Sequence, residues 1–332
     1  MTTEWVDRLL SGDRRAAARL LSLVEEGGPA ARKAVAALYP HTGRAHVIGI
    51  TGPPGSGKST LVLGLAGAYR DRERRVGIVA VDPSSPLSGG AVLGDRIRMQ
   101  ELTADSGVFI RSMATRGQLG GLALATADAV KVLDAFGQEV IFVETAGAGQ
   151  SEVEIATATH STVVVEAPGL GDEIQAIKAG LLEVADLVVV NKADRDGAEL
   201  AAATLRRMLP EPVAGGRPFG GDLEGTEAED QDTDWRVPIM LTVATTGQGV
   251  TDLLEALEAH RRHLTETGEW ERRVRRNSED EVRRLLQEAL MHRYLGAIEN
   301  GRWRAVIEEV ADRDLDPHSA VERLLGQLED SG

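Results

Sequence analysis

Cysteine is absent from the 332-residue chain. That removes disulfides, thiolate nucleophiles, iron–sulfur clusters and Cys-ligated zinc together. Aromatic residues make up only 3%, so aliphatic side chains have to build the core. Lysine occurs five times, at 33, 58, 131, 178 and 192, and a lysine inside a motif therefore carries weight. Positive charge is in deficit: 37 Lys and Arg against 52 Asp and Glu leave a formal charge of −15. Such a field repels phosphate backbones and anionic lipid, so neither a nucleic-acid nor a membrane partner is expected. No apolar run approaches the roughly 18 residues of a membrane span. The first ten residues carry Glu4 and Asp7 where a signal peptide needs a basic end and an apolar stretch, and a cytoplasmic location is expected.

What is present is a balance of 42% apolar and 27% charged residues, which fits a globular chain with enough length for about two domains. Residues 1–44 show helical spacing, with Val6, Leu9, Leu10, Leu20, Leu21 and Val24 recurring at three- to four-residue steps, and read as a helical extension. Residues 45–250 change to short β-branched runs separated by helix-length segments. Strands are expected at His46–Thr51, Val76–Asp82, Val108–Arg111, Val140–Thr145, Thr162–Glu166, Leu187–Asn191 and Val237–Val243. Strands alternating with helices imply an α/β fold with a largely parallel sheet flanked by helices. A Pro-, Gly- and acid-rich stretch from Pro210 to Arg236 reads as a surface insertion. Residues 251–332 return to helical periodicity, with Val282, Leu285, Leu286, Leu290 and Tyr294 on one stripe and Val321, Leu324, Leu325 and Leu328 on another.

The segment Gly52-Pro53-Pro54-Gly55-Ser56-Gly57-Lys58-Ser59 fits Gly-x-x-x-x-Gly-Lys-Ser/Thr, with an apolar strand before it and a helical run after it. Glycines let the backbone close around a phosphate, so that successive N–H groups and the positive end of the following helix face the anion. Gly52, Pro54, Gly55, Ser56, Gly57, Lys58, Ser59 and Thr60 are the expected cradle. Lys58 would reach the β- and γ-phosphates, and the Ser59 hydroxyl would serve Mg²⁺. The domain therefore reads as a P-loop NTPase.

Magnesium also needs acidic ligands near the carboxyl ends of neighbouring strands. Asp82, Asp95 and Glu144 are the candidates beside Ser59, each open to the plainer role of capping a helix. Glu144-Thr145-Ala146-Gly147 has the form of an acid-x-x-Gly element, whose Gly147 N–H can sense a γ-phosphate. Downstream, Leu187–Val190 leads directly into Asn191-Lys192-Ala193-Asp194. Asp194 can accept from guanine N1–H and its exocyclic amine, a donor pattern adenine lacks. Lys192 would lie along the base and Asn191 would tie the loop together. A last base loop is expected at 242–247, where Val243 replaces the usual serine and the Ala244 N–H is left to bind the guanine carbonyl. Hydrolysis would depend on placing water and neutralising charge. Lys58, Glu144, Arg98 and Gln150 are the candidate catalytic set; Arg96, Arg111 and Arg116 are further arginines near the presumed switch segments. Turnover by the isolated chain is expected to be slow.

Together the cradle 52–60, the segment Val81-Asp82-Pro83-Ser84-Ser85-Pro86 with Gly94-Asp95-Arg96, the run from Arg111 to Gly117, Glu144-Thr145 with Gly149-Gln150-Ser151-Glu152, and Asn191 to Asp194 resemble the MeaB/ArgK-type GTPases. Alanines stand at 146 and 148 where that pattern has valines. The resemblance implies a chaperone of an adenosylcobalamin-dependent acyl-CoA mutase of the methylmalonyl-CoA mutase type, a GTPase that gates cofactor loading and protects or reactivates the mutase. It also implies Mg²⁺ and GTP or GDP as bound species, a mutase-facing loop at Glu166–Lys178, and a homodimer formed through the C-terminal helices. Two other readings stay open. A metallochaperone GTPase would need a Cys/His delivery site, and the seven histidines show no ligand spacing. A kinase would pass phosphate to a transport-system protein.

Overall fold

The computed structural model describes residues 2–82, 105–114, 121–145, 159–169, 179–209, 235–297 and 300–329. The strands are β1 (His46–Thr51), β2 (Val76–Asp82), β3 (Val108–Ala114), β4 (Val140–Thr145), β5 (Ser161–Glu166), β6 (Leu187–Asn191) and β7 (Ile239–Thr242). They form one parallel sheet in the order β3-β2-β4-β1-β5-β6-β7. All strands pointing one way gather their carboxyl ends at one edge. There the last residues of β1, β2, β4, β5, β6 and β7 are Thr51, Asp82, Thr145, Glu166, Asn191 and Thr242. This polar rim on otherwise apolar strands is where an open α/β sheet binds its ligand.

The helices are α1 (Thr2–Leu10), α2 (Arg14–Glu26), α3 (Gly28–Leu38), α4 (Lys58–Asp71), α5 (Gly121–Ala135), α6 (Ala179–Glu183), α7 (Ala198–Met208), α8 (Val250–Glu266), α9 (Glu269–Ala297), α10 (Asn300–Ala311) and α11 (Pro317–Glu329). Side chains alternate across each strand, so the two faces carry different cores. Ile48, Ile50, Ile78, Phe142 and Val163 pack with Leu61, Leu65 and Tyr69 of α4 and Leu253, Leu254 and Leu257 of α8. On the other face Val79, Met113, Ile141 and Val143 pack with Val132 and Leu133 of α5 and with Leu9, Leu20 and Leu21 of α1 and α2. The N-terminal helices are thus part of the sheet's own core. Asp13 fixes the start of α2 by accepting from the Arg15 and Ala16 amides at 2.8 and 3.3 Å, a cap of the kind worth about 1 kcal/mol.

The chain divides into two units, Met1–Asn277 and Ser278–Gly332. Within the second, Val306 and Ala320 are buried, and Arg323 pairs with Glu309 at 2.7 Å. Val282, Leu285, Leu286, Leu290, Trp303, Ile307, Val321 and Leu325 are exposed.

Opposite the polar rim, at the amino ends of β1 and β5, lies a buried polar chain. His46 Nε2 lies 2.7 Å from Ser161 Oγ, which is 2.8 Å from His260 Nδ1. His260 Nε2 is 3.4 Å from Asp186 Oδ1, and Arg273 donates to both Asp186 oxygens at 2.8 Å. His160 stacks on Trp270 at 4.0 Å between ring centres. His46, Ser161 and His260 have no exposure, so this chain is a structural tie. Burial depresses the His46 imidazole well below the usual histidine range and takes His160 down to about 3, with Arg273 contributing to the latter. Burial opposes ionisation of Asp186, yet His260 and the Arg273 guanidinium hold its carboxyl below the usual carboxylate range.

The sign of the pH dependence follows. Both histidines titrate lower when folded than when unfolded, so their contribution is complete above about pH 6.5 and is lost as pH falls toward their folded values. Asp186 adds a loss in the same direction, but only below the usual carboxylate pKa. Asp134, raised by burial, works in the opposite direction, adding stability as pH falls through its raised folded value toward the usual carboxylate pKa. Thermal stability is therefore expected to stay nearly level from pH 7.5 to about 6.5 and to fall from there to 5.5, with a slope approaching about 1.4 kcal/mol per pH unit for each histidine. A melting temperature flat over that interval would contradict neutral burial of the pair.

Candidate functional site

The phosphate loop leaves the sheet from β1, between β4 and β5. Gly52 takes φ +137°, and a Cβ there would overlap the Val165 carbonyl oxygen of β5. Gly57 takes φ +94°, and its Cβ would overlap the Asn191 carboxamide. Only glycine lets the loop run this close to both neighbours. Gly52→Ala is expected to cost at least about 2 kcal/mol of stability through strain and overlap and to weaken nucleotide binding in step. Denaturant unfolding checks this, and a wild-type midpoint would show the loop to be free of β5.

Lys58 opens α4 and is buried. Its Nζ donates to the Gly52 and Pro53 carbonyls at 2.8 and 3.1 Å, which holds the ammonium inside the ring of the loop. Ser56 is buried, its N–H donating to the Pro53 carbonyl at 3.3 Å, while Pro54 and Gly55 are exposed at the rim. The first amides of α4 follow directly, so loop N–H groups, helix dipole and ammonium converge on one anion position. Ser59 Oγ donates to Glu144 Oε1 at 2.6 Å, joining the loop's helix to the end of β4. Thr60 follows, half-buried. A hydroxyl and a carboxylate brought together beside a phosphate loop form a hard oxygen pair that suits Mg²⁺.

The loop that follows β6, expected to read the base, is tied to the phosphate loop through Asn191. Its Nδ2 donates to the Ser56 carbonyl at 2.8 Å, and its Oδ1 accepts from Thr242 Oγ1 and the Ala244 N–H, both at 3.1 Å. Lys192 takes φ +58° and its Nζ donates to the Gly55 carbonyl at 2.6 Å. Asp194 stands exposed on the same loop. The Ala244 N–H, expected to face a guanine carbonyl, here donates to Asn191, so it would have to share or exchange that bond to reach a base. Val243, at the place of the expected serine, donates its N–H to the Gln248 carbonyl at 3.0 Å, which closes the loop as a turn.

Asp82 lies where expected along the chain, as the last residue of β2, in register with Ala114 and beside the Val81–Thr145 pair. Arg111 is engaged in an ion pair with Glu25 of α2, which takes it off the list of charge-stabilising arginines. Asp95, Arg96, Arg98, Arg116, Gly147 and Gln150 lie outside the described residues. So does most of the expected mutase-facing loop; Glu166 ends β5 and is buried. Two residues were given no role from the motifs, although Thr145 stands inside the acid-x-x-Gly element: Thr51 and Thr145 join their hydroxyls at 3.1 Å between the loop and Glu144, and in sequence each is a polar residue closing an apolar strand.

A family model described as the methylmalonyl-CoA mutase-associated GTPase MeaB matches residues 17–299. The chain belongs to this family. A protein named as a GTPase in Pyrococcus horikoshii is 46% identical over 325 residues, covering 98% of each chain. The GTPase ArgK of Escherichia coli is 29% identical over 326 residues, covering 97% of this chain and 95% of its own. A crystal structure titled as an LAO/AO transport system kinase superposes with a TM-score of 0.71 at 23% identity, covering 99% and 97% of the two chains; that likeness is one of fold. As a MeaB-family member the chain is a P-loop GTPase.

Proposed function

We propose that this MeaB-family GTPase is a Mg²⁺-dependent chaperone of an adenosylcobalamin-dependent acyl-CoA mutase of the methylmalonyl-CoA type, using its nucleotide state to gate cofactor loading and to protect or reactivate the mutase. The observation that carries the reading is the family match over residues 17–299 together with the closed link from phosphate loop to base loop through Asn191.

In this reading Lys58 neutralises charge on the β- and γ-phosphates, and Asp194 selects guanine by accepting from its N1–H and amine. Lys192 lies along the base, and the Ala244 N–H serves the base carbonyl. Ser59 and Glu144 hold Mg²⁺, with Asp82 and Asp95 on the same side; when bound, the ion neutralises charge developing on phosphate oxygens. Gly147 senses the γ-phosphate, and Arg98 and Gln150 are assigned to charge stabilisation and water placement. The exposed apolar residues of the second unit, Val282, Leu286, Leu290, Val321 and Leu325 among them, support a homodimer through the C-terminal helices, because monomers seldom leave so much apolar surface in water. A cytoplasmic site of action fits the strongly acidic, cysteine-free composition.

Affinity capture with the nucleotide-loaded protein tests the reading. A cobalamin-dependent mutase should be retained and should quicken hydrolysis. Failure to retain one in both the GDP and GTP-analogue states removes the chaperone assignment and leaves the GTPase. Transfer of a labelled γ-phosphate to a protein acceptor would favour the kinase reading instead.

A further inference from the structure

Backbone pairing between β1 and β4 runs from His46 with Val140 to Ile50 with Glu144 and stops there. Beyond that last pair each strand follows its outer neighbour: Thr51 pairs with Val164 of β5, and Thr145 pairs with Val81 of β2. The sheet thus begins to part between β1 and β4 at the point where the phosphate loop emerges. A side-chain bond between the two strands spans the parting. Thr145 Oγ1 donates to Thr51 Oγ1 at 3.1 Å, with both residues buried.

Following the links gives a closed ring. Thr51 leads into Gly52 and the phosphate loop, the loop leads to Ser59, the Ser59 hydroxyl reaches Glu144 at 2.6 Å, Glu144 adjoins Thr145, and Thr145 returns to Thr51. Cutting the hydroxyl bond would loosen β4 just beyond the Ile50–Glu144 pair, and the Glu144 side chain would lose part of what fixes its aim at Ser59. A buried hydroxyl pair is well suited to this task, because a hydroxyl shut off from water costs free energy when its hydrogen-bond partner is removed.

We propose that Thr145, through its bond to Thr51, is a positioning residue that holds Glu144 against Ser59 and so sets how firmly the site takes up nucleotide with Mg²⁺. The inference rests on the reading of Ser59 and Glu144 as the magnesium-side pair. Thr145 touches no substrate in this scheme; it acts through Glu144.

The test compares wild type with Thr145→Val, Thr145→Ser, Thr51→Val and Glu144→Gln. Two quantities are read: the factor by which Mg²⁺ slows release of a fluorescent GDP analogue, and kcat and KM for GTP. Thr145→Val keeps the shape and removes the hydroxyl. It is expected to cut the Mg²⁺ effect on release by about three- to ten-fold, the size of one lost hydrogen bond, and to lower kcat by a similar factor with KM little changed. Release without Mg²⁺ should stay within about two-fold of wild type, a readout that general loosening of the fold would move. Thr145→Ser restores the hydroxyl and should recover most of both losses.

A wild-type Mg²⁺ effect in Thr145→Val overturns the proposal, as does a Thr145→Ser variant impaired to the same degree as Thr145→Val. Should Thr145→Val fail to fold, Thr51→Val removes the same bond from the other side and is judged by the same criteria. Glu144→Gln separates the two levels. Loss of the Mg²⁺ effect there with no change in Thr145→Val rejects the positioning role alone, whereas an intact Mg²⁺ effect in Glu144→Gln rejects the magnesium-side reading and the proposal with it.

Discussion

Lys58→Ala is expected to slow GTP hydrolysis by about 100- to 1000-fold, the cost of removing one preorganised charge from phosphoryl transfer. The ammonium is buried and already held at the mouth of the loop by the Gly52 and Pro53 carbonyls, so it needs little rearrangement to act. Among the other described lysines, Lys192 also touches the loop but only at the exposed Gly55 carbonyl, and Lys131 pairs with Asp128 on α5. Lys58→Arg is expected to rescue poorly, because a planar guanidinium is too broad for a space that fits a compact ammonium. Single-turnover hydrolysis with excess enzyme reads the effect without interference from product release. A rate within about ten-fold of wild type would mean that Lys58 is a structural tether of the loop and that the charge comes from elsewhere.

Asp194→Asn carries the second large effect, on selectivity. An ionised carboxylate can only accept, and guanine offers it two donors, N1–H and the exocyclic amine. Exchanging one carboxylate oxygen for an NH₂ turns one of those contacts into donor against donor. GTP affinity is expected to fall by at least about 100-fold, while xanthosine triphosphate, with a carbonyl in place of the amine, should gain affinity. Asp194 is exposed and the loop is anchored through Asn191 and Lys192, so the fold should be untouched. Competition binding with GTP, xanthosine triphosphate and ATP measures the change. Unaltered preference for GTP would show that another group reads the base.

The sheet was legible in the sequence because a parallel strand covered on both faces is a short apolar run, and seven such runs were separated by turn and helix signals. The bounds differ where neighbours decide them. β3 continues to Ala114 because β2 stays paired with it up to Asp82, and β7 is trimmed to Ile239–Thr242 because the register with β6 runs from the Val188–Ile239 pair to the Asn191–Thr242 pair. Phosphate and base loops were legible because each is a contiguous motif with a defined strand before it.

Less local features were not. The buried chain His46–Ser161–His260–Asp186–Arg273 joins residues up to 115 positions apart, and no spacing announces it. The histidines that looked scattered in sequence meet in space, but they meet serine, aspartate and tryptophan, and no metal-binding group is found among the described residues. The N-terminal helices read as an appendage, since amphipathic periodicity shows that a face is buried without showing against what; Val79, Met113 and Val143 are the answer. The role of Asn191 as the clamp between the two loops depends on a Gly57 that only the fold brings beside it.

Titration calorimetry with Mg²⁺ present measures whether one phosphate loop and one carboxylate together take a guanine nucleotide. Injecting GDP should give heat that saturates at one nucleotide per chain, and ADP at the same concentrations should give none. Silence with GDP, or equal heats from the two purines, would contradict such binding.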